Sequence, residues 1–292
     1  MAARYINPYT DFGFKKLFGE EANKDLLMDF LNQLLPAERQ ISTLDFRNTE
    51  NLNDIAEDRK AIFDLNCTSQ SGEHFIVEMQ KAKIKYFKDR ALFYTTFPIK
   101  KQSEKCDWDF CLSPIYYIAI LDFPYDEDEE KAKVRRDVML KDQDCEVFFD
   151  KLKYIFLQMP AFKKQEHELK TRYDKWLYFL KHLEDFNEIP AILSEPIFEK
   201  AFNIAEISNF NENQLEAYQK SLLSYRDLVN VMNTKYEEGI EKGIEQGIEQ
   251  GIEQVVIRGI KQGKSIKIIM EMTGLTQEQI EIIRNKHINN DK

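Results

Sequence analysis

Cysteine, histidine and long apolar runs are scarce in this sequence, and each shortage excludes a class of protein. The four cysteines form no CxxC pair and are too few for a disulfide framework, which indicates reduced thiols in a cytoplasmic protein. The four histidines are scattered and lack the His/Cys spacing of a zinc site. No apolar run approaches the roughly 18–20 residues that cross a bilayer, and the start, "MAARYINPYTDFGFKK", lacks the apolar segment of a secretory signal. We therefore expect a cytoplasmic chain with no membrane partner.

Signatures of several enzyme classes are missing as well. The sequence contains neither GxxxxGK[ST] nor GxGxxG, so nucleotide-driven motors and dinucleotide enzymes have no support. It also lacks a GxSxG elbow, which disfavours a serine hydrolase.

Charge is distributed unevenly along the chain. The net charge of −10 argues weakly against a nucleic-acid partner when it is taken alone. Residues 81–105, however, hold eight Lys or Arg against two acids, whereas residues 122–130 hold six acids and no base. A basic helix beside acidic strands suits a nuclease, and it is equally compatible with a solvated face.

Hydrophobic periodicity predicts a small α/β core in the first part of the chain. "NKDLLMDFLNQLLP" has apolar residues at helical spacing before Pro36, and "ISTLDFRN" is typical of a strand. "RKAIFDLNCTS" and "HFIVEMQ" predict a hairpin, residues 84–104 a helix ending near Pro98, and "SPIYYIAILDF" a central strand.

The sequence pattern from about residue 130 to 235 predicts helices, with breaks at prolines. We therefore expect an α/β core at 1–125, an all-helical extension at 126–235, a repeat helix at 236–263 and a small helical hairpin at 264–292. The last segment has a capping box at Thr276 and Gln279. Its shape suits a helix-turn-helix as well as any other helical hairpin.

A four-residue repeat, "EEGIEKGIEQGIEQGIEQ", occupies residues 237–254. Four residues advance about 40° beyond a full helical turn, so the isoleucines form a stripe that winds around the helix. Each glycine costs about 1 kcal/mol relative to alanine in a helix, so the segment alone should be marginal. Two interpretations stay open: a helix that forms against its copy in a homo-oligomer, or a flexible low-complexity spacer.

The predicted hairpin carries acids where apolar residues are expected. Side chains alternate along a strand, so Glu78 and Gln80 share one face. A three-residue turn ending in Gly72 pairs Asp64 with Glu78, whereas a two-residue turn pairs Asp64 with Met79. Gly72 stands where the longer turn needs a left-handed residue, which favours two facing acids.

Two facing carboxylates repel each other unless a cation lies between them. Mg²⁺ binds carboxylate oxygens and keeps waters for a substrate phosphate. The pair therefore indicates metal-dependent phosphodiester hydrolysis, with two solvated acids on an exposed face as the alternative.

These residues carry a family resemblance. Asp64 followed by Glu78-x-Gln80 resembles the D…(D/E)xK signature of the restriction-endonuclease-like PD-(D/E)xK superfamily, in which helices flank a mixed sheet. "TDFGFKKLFG", the hairpin, "FKDRALFYTT" and "SPIYYIAILDF" are, in this order, similar to the Rpn family of recombination-promoting nucleases and transposases. The resemblance covers residues 4–125, and the glycine-rich C-terminal helix also recurs in that family.

The resemblance implies an Mg²⁺-dependent DNA endonuclease. Asp64, Glu78 and the main-chain carbonyl of Met79 are the implied metal ligands. Gln80 takes the place of a lysine that orients the attacking water and adds positive charge. An amide can hold the water but supplies no charge, although glutamine is common here in the Rpn family.

Further site candidates follow from the same pattern. Asp11 either completes the metal site or, like its neighbour Thr10, is a candidate cap of the first helix. Lys15 contacts phosphate or lies on the surface, and Lys60 and Lys81 are nearby cations, with Lys81 facing away from Gln80.

Arg90 suits a phosphate contact or an ion pair with a core acid such as Glu50 or Asp58. Tyr94, one turn further on, is expected to pack. The alternative function is a DNA-binding or regulatory protein that keeps the nuclease fold without catalysis.

Overall fold

A mixed six-stranded sheet forms the centre of the computed structural model, which describes residues 3–47, 50–51, 61–62, 64–103, 109–126 and 131–287. The strands run β1-β4-β5-β6-β8-β7 across this sheet, and a separate ribbon pairs β2 with β3. Their bounds are β1 Leu44–Phe46, β2 Glu50–Asn51, β3 Ala61–Ile62, β4 Leu65–Ser69, β5 His74–Gln80, β6 Ile115–Leu121, β7 Arg135–Lys141 and β8 Val147–Gln158.

Eight α-helices are found in the described residues. They are α1 Asp11–Phe18, α2 Lys24–Asn32, α3 Phe87–Gln102, α4 Arg172–His182, α5 Pro196–Ala205, α6 Glu212–Lys261, α7 Ile266–Thr273 and α8 Gln277–His287. None of these described helices has the length and apolar character needed to cross a membrane.

The sheet separates two apolar layers. Strands β1, β4 and β5 are antiparallel, β5, β6 and β8 are parallel, and β7 returns antiparallel to β8. On one face, Val77 and Met79 pack with the apolar sides of α1, α2, α4 and α5. On the other face, Ile76 packs with Tyr117 of β6 and with Phe87 of α3. Glu78 and Gln80 alternate with Val77 and Met79, so they lie on the α3 face.

The sequence prediction of the core is confirmed for the hairpin strands and for β6, whose residues are all buried in the middle of the sheet. The expectation of helices throughout 130–235 is wrong over 135–158, where β7 and β8 complete the sheet. The sheet therefore continues past the boundary expected at residue 125. "VFFDKLKYIFLQ" alternates and then ends in an apolar run, because β8 is exposed at its start and buried between β6 and β7 at its end.

Helix α3 also runs further than predicted. Pro98 lies inside it and is buried, and the helix continues to Gln102. Proline removes one backbone donor. The side chains of Thr95 and Thr96 add hydrogen bonds to the carbonyls of Leu92 and Phe93 in the turn before it.

Two compact units, residues 1–227 and 228–292, divide the chain. The first contains the sheet. In the second, Val256 of α6, Ile269 of α7 and Ile280 of α8 form a small core. The predicted capping box is confirmed, because Thr276 and Gln279 exchange side-chain-to-backbone hydrogen bonds of 2.9 and 3.3 Å.

Candidate active site

The β4–β5 hairpin places two carboxylates opposite each other. Leu65 pairs with Val77 and Thr68 with His74, and Gly72 closes the turn with a φ of +88°. This confirms the three-residue turn. Continued by one residue, the same register sets Asp64 opposite Glu78.

Asp64 lies at a bend immediately before β4, with its carboxylate directed at the neighbouring strand. Its Oδ2 accepts a hydrogen bond of 2.7 Å from the Met79 N–H. Burial raises the pKa of Asp64, and the bond from Met79 acts against that rise. The N–H and C=O of one strand residue point to the same side, so the Met79 carbonyl is directed to the side on which Asp64 lies.

Glu78 is almost fully buried, with 2% of its surface exposed. Its Oε2 accepts hydrogen bonds from Gln80 Nε2 at 2.6 Å and from the Tyr117 hydroxyl at 3.1 Å. Its Oε1 is also buried but has no hydrogen-bond partner among the described residues. Burial, and then the charge of Asp64, raise the pKa of Glu78 to about 8, against the opposing effect of Arg90.

Arg90 reaches the site from the first turn of α3. It donates a hydrogen bond to Gln80 Oε1, and its guanidinium lies 3.6 Å from Glu78 Oε2 and 5.5 Å from the centre of the Tyr94 ring. Arg90 therefore forms an ion pair with a core acid, which is one of its two predicted roles, but the acid is Glu78. The side chains of Glu50 and Asp58 lie outside the described part of the chain. Tyr94 packs, as expected, and its ring supports the arginine.

A cavity of about 790 Å³ opens beside Asp64. Asp11, Lys15 and Lys81 line it together with Asp64, whereas Lys60 lies outside the described residues. Asp11 and Lys15 form an ion pair of 3.0 Å. Lys81 opens to this cavity while Gln80 faces α3, which agrees with the alternation expected along the strand.

The cap of α1 is Thr10, whose hydroxyl accepts the Gly13 N–H at 3.0 Å. The capping function considered for Asp11 is therefore performed by its neighbour. Asp11 remains as an acid at the cavity wall, and its negative charge helps to raise the pKa of Asp64.

Two parts of the site were not anticipated from the sequence. Tyr117 pairs with Ile76 in the sheet, and this places its hydroxyl on the Glu78 face. A tyrosine in the apolar run "IYYIAIL" was the available signal. Lys220 and Ser221 of α6 line the cavity more than 200 residues after Asp11, and no local pattern marks them.

The donor set fits a hard divalent cation. Within the described ranges, no group of three or more His, Cys, Asp or Glu is placed to hold a metal. Two carboxylates are nevertheless sufficient for Mg²⁺, which takes its other ligands from water and substrate phosphate. The unpartnered Oε1 of Glu78 is an acceptor of the kind that such an ion would complete.

Comparison with known families matches residues 8–235 to the family described as PD-(D/E)XK nuclease family transposase. No curated protein and no solved structure matches the chain.

Glu78→Gln is expected to stabilise the metal-free protein at alkaline pH. The unfolded chain loses the proton near pH 4.5, whereas the folded chain holds it up to about pH 8. The contribution of Glu78 to stability is therefore complete below pH 4.5 and is lost as the pH rises to about 8. At about pH 8.5 we expect the free energy of unfolding of the variant to exceed that of wild type by about 1–4 kcal/mol, since each pKa unit corresponds to about 1.4 kcal/mol.

Urea denaturation in EDTA at about pH 5, 7 and 8.5 measures this difference. Glu199→Gln, at an exposed position on α5, is the matched control. A difference between Glu78→Gln and wild type that stays constant with pH would contradict the expectation.

Proposed function

The chain belongs to the PD-(D/E)XK nuclease family transposases, and from this membership we propose that it is an Mg²⁺-dependent DNA endonuclease that leaves 5′-phosphate ends. The observation that supports the proposal most is the pair formed by Asp64 and Glu78. The register of the hairpin sets the two side chains opposite each other. Glu78 Oε1 is buried and has no hydrogen-bond partner among the described residues.

Asp64, Glu78 Oε1 and the Met79 carbonyl are the proposed metal ligands. When bound there, Mg²⁺ supplies an activated water and neutralises charge on the phosphate. The backbone of β5 contributes two features to this site, since the Met79 N–H fixes the Asp64 carboxylate and its carbonyl is directed to the same side. Asp11 is proposed to act from the cavity wall as a further acid of the site.

Gln80 is proposed to hold the attacking water. One of its Nε2 hydrogens is used by Glu78 Oε2, and its Oε1 accepts from Arg90. A carboxamide nitrogen carries two hydrogens, so one remains for a water beside Glu78. The two fixed contacts restrict the amide to one orientation, which is useful for positioning a nucleophile.

The cations at the cavity are the proposed DNA contacts. Lys15 and Lys81 lie on the wall that also contains Asp64, and Lys220 faces them from α6. Lys60, which lies outside the described residues, completes the proposed set, whereas Arg90 contacts Gln80 and Glu78 on the α3 face. A local group of cations lets a protein of net charge −10 bind a phosphate backbone, because exposed charges further away than a Debye length are screened.

One observation favours a second candidate, a DNA-binding or regulatory protein without catalysis. Position 80 carries a neutral amide, and the nearest described cation, Arg90, is engaged by Glu78 and Gln80. A binder of this kind needs the cations and not the two acids, so removing the acids separates the candidates.

Asp64→Asn and Glu78→Gln are each expected to reduce DNA cleavage by roughly 100-fold or more, because a metal site is worth several kcal/mol of transition-state stabilisation. Plasmid nicking with Mg²⁺ and with EDTA measures this. Glu199→Gln removes the same charge at an exposed site and should cleave like wild type. Cleavage that persists in EDTA, or in both site variants, would sink the enzyme proposal.

We also propose that the repeat helix mediates a homo-oligomer. Ile240, Ile244 and Ile248 are between 46% and 59% exposed along α6. Apart from adjoining residues and the nearby backbone of α6 itself, no described atom lies within 4 Å of the Cβ position of Gly239, Gly243, Gly247 or Gly251. A second helix could therefore approach this backbone closely and bury the isoleucine stripe. The flexible-spacer interpretation predicts a monomer instead.

Ile244→Glu/Ile248→Glu is expected to convert the oligomer to a monomer, because charges are costly to bury in an apolar contact. Light scattering after size exclusion reports the mass. Gln246→Glu/Gln250→Glu adds the same charges about 200° around the helix and should leave the oligomer intact. A monomeric wild type, or dissociation of the control, would contradict the assignment.

A further inference from the structure

Position 80 carries no positive charge, because its residue is a glutamine. The superfamily signature resembled by this hairpin places a lysine there, whereas this chain has Gln80, the residue that is common in the Rpn family. A carboxamide orients a water through hydrogen bonds but adds no positive charge to a reaction that accumulates negative charge on phosphate. If the proposed endonuclease activity is correct, a cation from elsewhere in the fold is needed.

Arg90 is placed to supply that charge. Its guanidinium donates to Gln80 Oε1, Gln80 Nε2 donates to Glu78 Oε2 at 2.6 Å, and the guanidinium lies 3.6 Å from the same Oε2. The guanidinium, the amide and the carboxylate thus form one closed cluster. Because arginine donates to Oε1, the amide nitrogen of Gln80 must face Glu78, which defines the side chain's orientation.

The arginine is held in place and is still accessible. Its side chain is 33% exposed, and the Tyr94 ring lies 5.5 Å from the guanidinium carbon. Tyr94 is one helical turn after Arg90, so the same helix supplies the cation and its support.

Two buried atoms of the cluster have no partner among the described residues: Glu78 Oε1, an acceptor, and Arg90 Nε, a donor. Buried polar groups are normally satisfied, so such atoms often mark where a ligand binds. The acceptor, Glu78 Oε1, suits a metal cation, and the donor, Arg90 Nε, suits an anionic phosphate oxygen. A purely structural ion pair has no need of either open atom.

We propose that Arg90 replaces the missing lysine charge as a positioning residue: it fixes the Gln80 amide and places a permanent positive charge beside the phosphate under attack. This inference rests on the proposed endonuclease function. It differs from a simple phosphate anchor, because the charge acts through Gln80 on the chemical step and not on DNA affinity.

The test is a set of variants at positions 80 and 90, assayed for kcat, KM and Mg²⁺ affinity in the full-length protein. Arg90→Gln is expected to lower kcat about 100-fold with KM changed by less than about threefold. Arg90→Lys keeps the charge but loses the planar donor set, so its kcat should fall less than that of Arg90→Gln. Lys88→Gln, an exposed cation on the same helix, is the matched control and should keep the wild-type kcat.

Gln80→Lys/Arg90→Gln restores a lysine at position 80 and is expected to recover at least about tenfold of the kcat lost in Arg90→Gln. If Arg90→Gln lowered kcat only by disrupting the fold, a lysine at position 80 would not restore kcat. Thermal unfolding of each variant identifies one that has failed to fold.

Mg²⁺ titration without DNA gives a readout that does not depend on catalysis. Arg90 lies 3.6 Å from a proposed metal ligand and opposes binding of a second cation. At a pH high enough to ionise Glu78 in every variant, Arg90→Gln should therefore bind Mg²⁺ about fivefold more tightly, whereas Lys88→Gln should bind it like wild type.

Four results would overturn the proposal: an unchanged kcat with a raised KM, a kcat that rises in Arg90→Gln, no recovery in the double variant, or an unchanged Mg²⁺ affinity. An inactive wild type whose Mg²⁺ affinity still responds to Arg90→Gln would contradict the endonuclease function alone. An active wild type indifferent to Arg90→Gln would contradict the role of Arg90 alone.

Discussion

The placement of two carboxylates across a buried hairpin is the constraint on which the rest of the site depends. Asp64 and Glu78 face each other across the hairpin, and after burial the charge of Asp64 is the next cause that raises the pKa of Glu78. Burial raises the pKa of both groups. A protein that maintains such a pair has to compensate it with donors and cations, and the surrounding residues serve that purpose.

The compensating groups come from three elements, β5, β6 and α3. The Met79 N–H of β5 holds Asp64, the Tyr117 hydroxyl of β6 and the amide of Gln80 hold Glu78, and Arg90 of α3 brings the positive charge. The register of the hairpin determines whether these contacts form at all. A slip of one residue would move Asp64 to the other face of the sheet and leave Glu78 without its counterpart.

Much of this core could be predicted from sequence because its signals are local. Gly72 specifies the turn length, the turn specifies the register, and the register pairs the two acids. The prediction of β6 is local as well, because it rests on a near-continuous apolar run bounded by Pro114 and Pro124. Local information also explains the prediction that Thr10 or Asp11 caps α1, and the structure has Thr10 as the cap.

The parts that were missed depend on contacts between distant segments. The sequence pattern predicts helix where β7 and β8 lie. Strand β8 changes from exposed to buried along its length, so no single period describes it. The partner of Arg90 was expected among other acids, because only the packing of α3 on the sheet brings it to Glu78. Lys220 reaches the cavity wall through the tertiary placement of α6, which no nearby residue encodes.

The central claim is that Asp64 and Glu78 hold one divalent cation between them. Anomalous diffraction from crystals grown with Mn²⁺ and a short DNA duplex tests it most directly. The account predicts a single Mn²⁺ peak within about 2.0–2.4 Å of an Asp64 carboxylate oxygen and of Glu78 Oε1, the range of metal–oxygen bonds. A peak elsewhere, or no peak with Glu78 still paired to Arg90 alone, would contradict it.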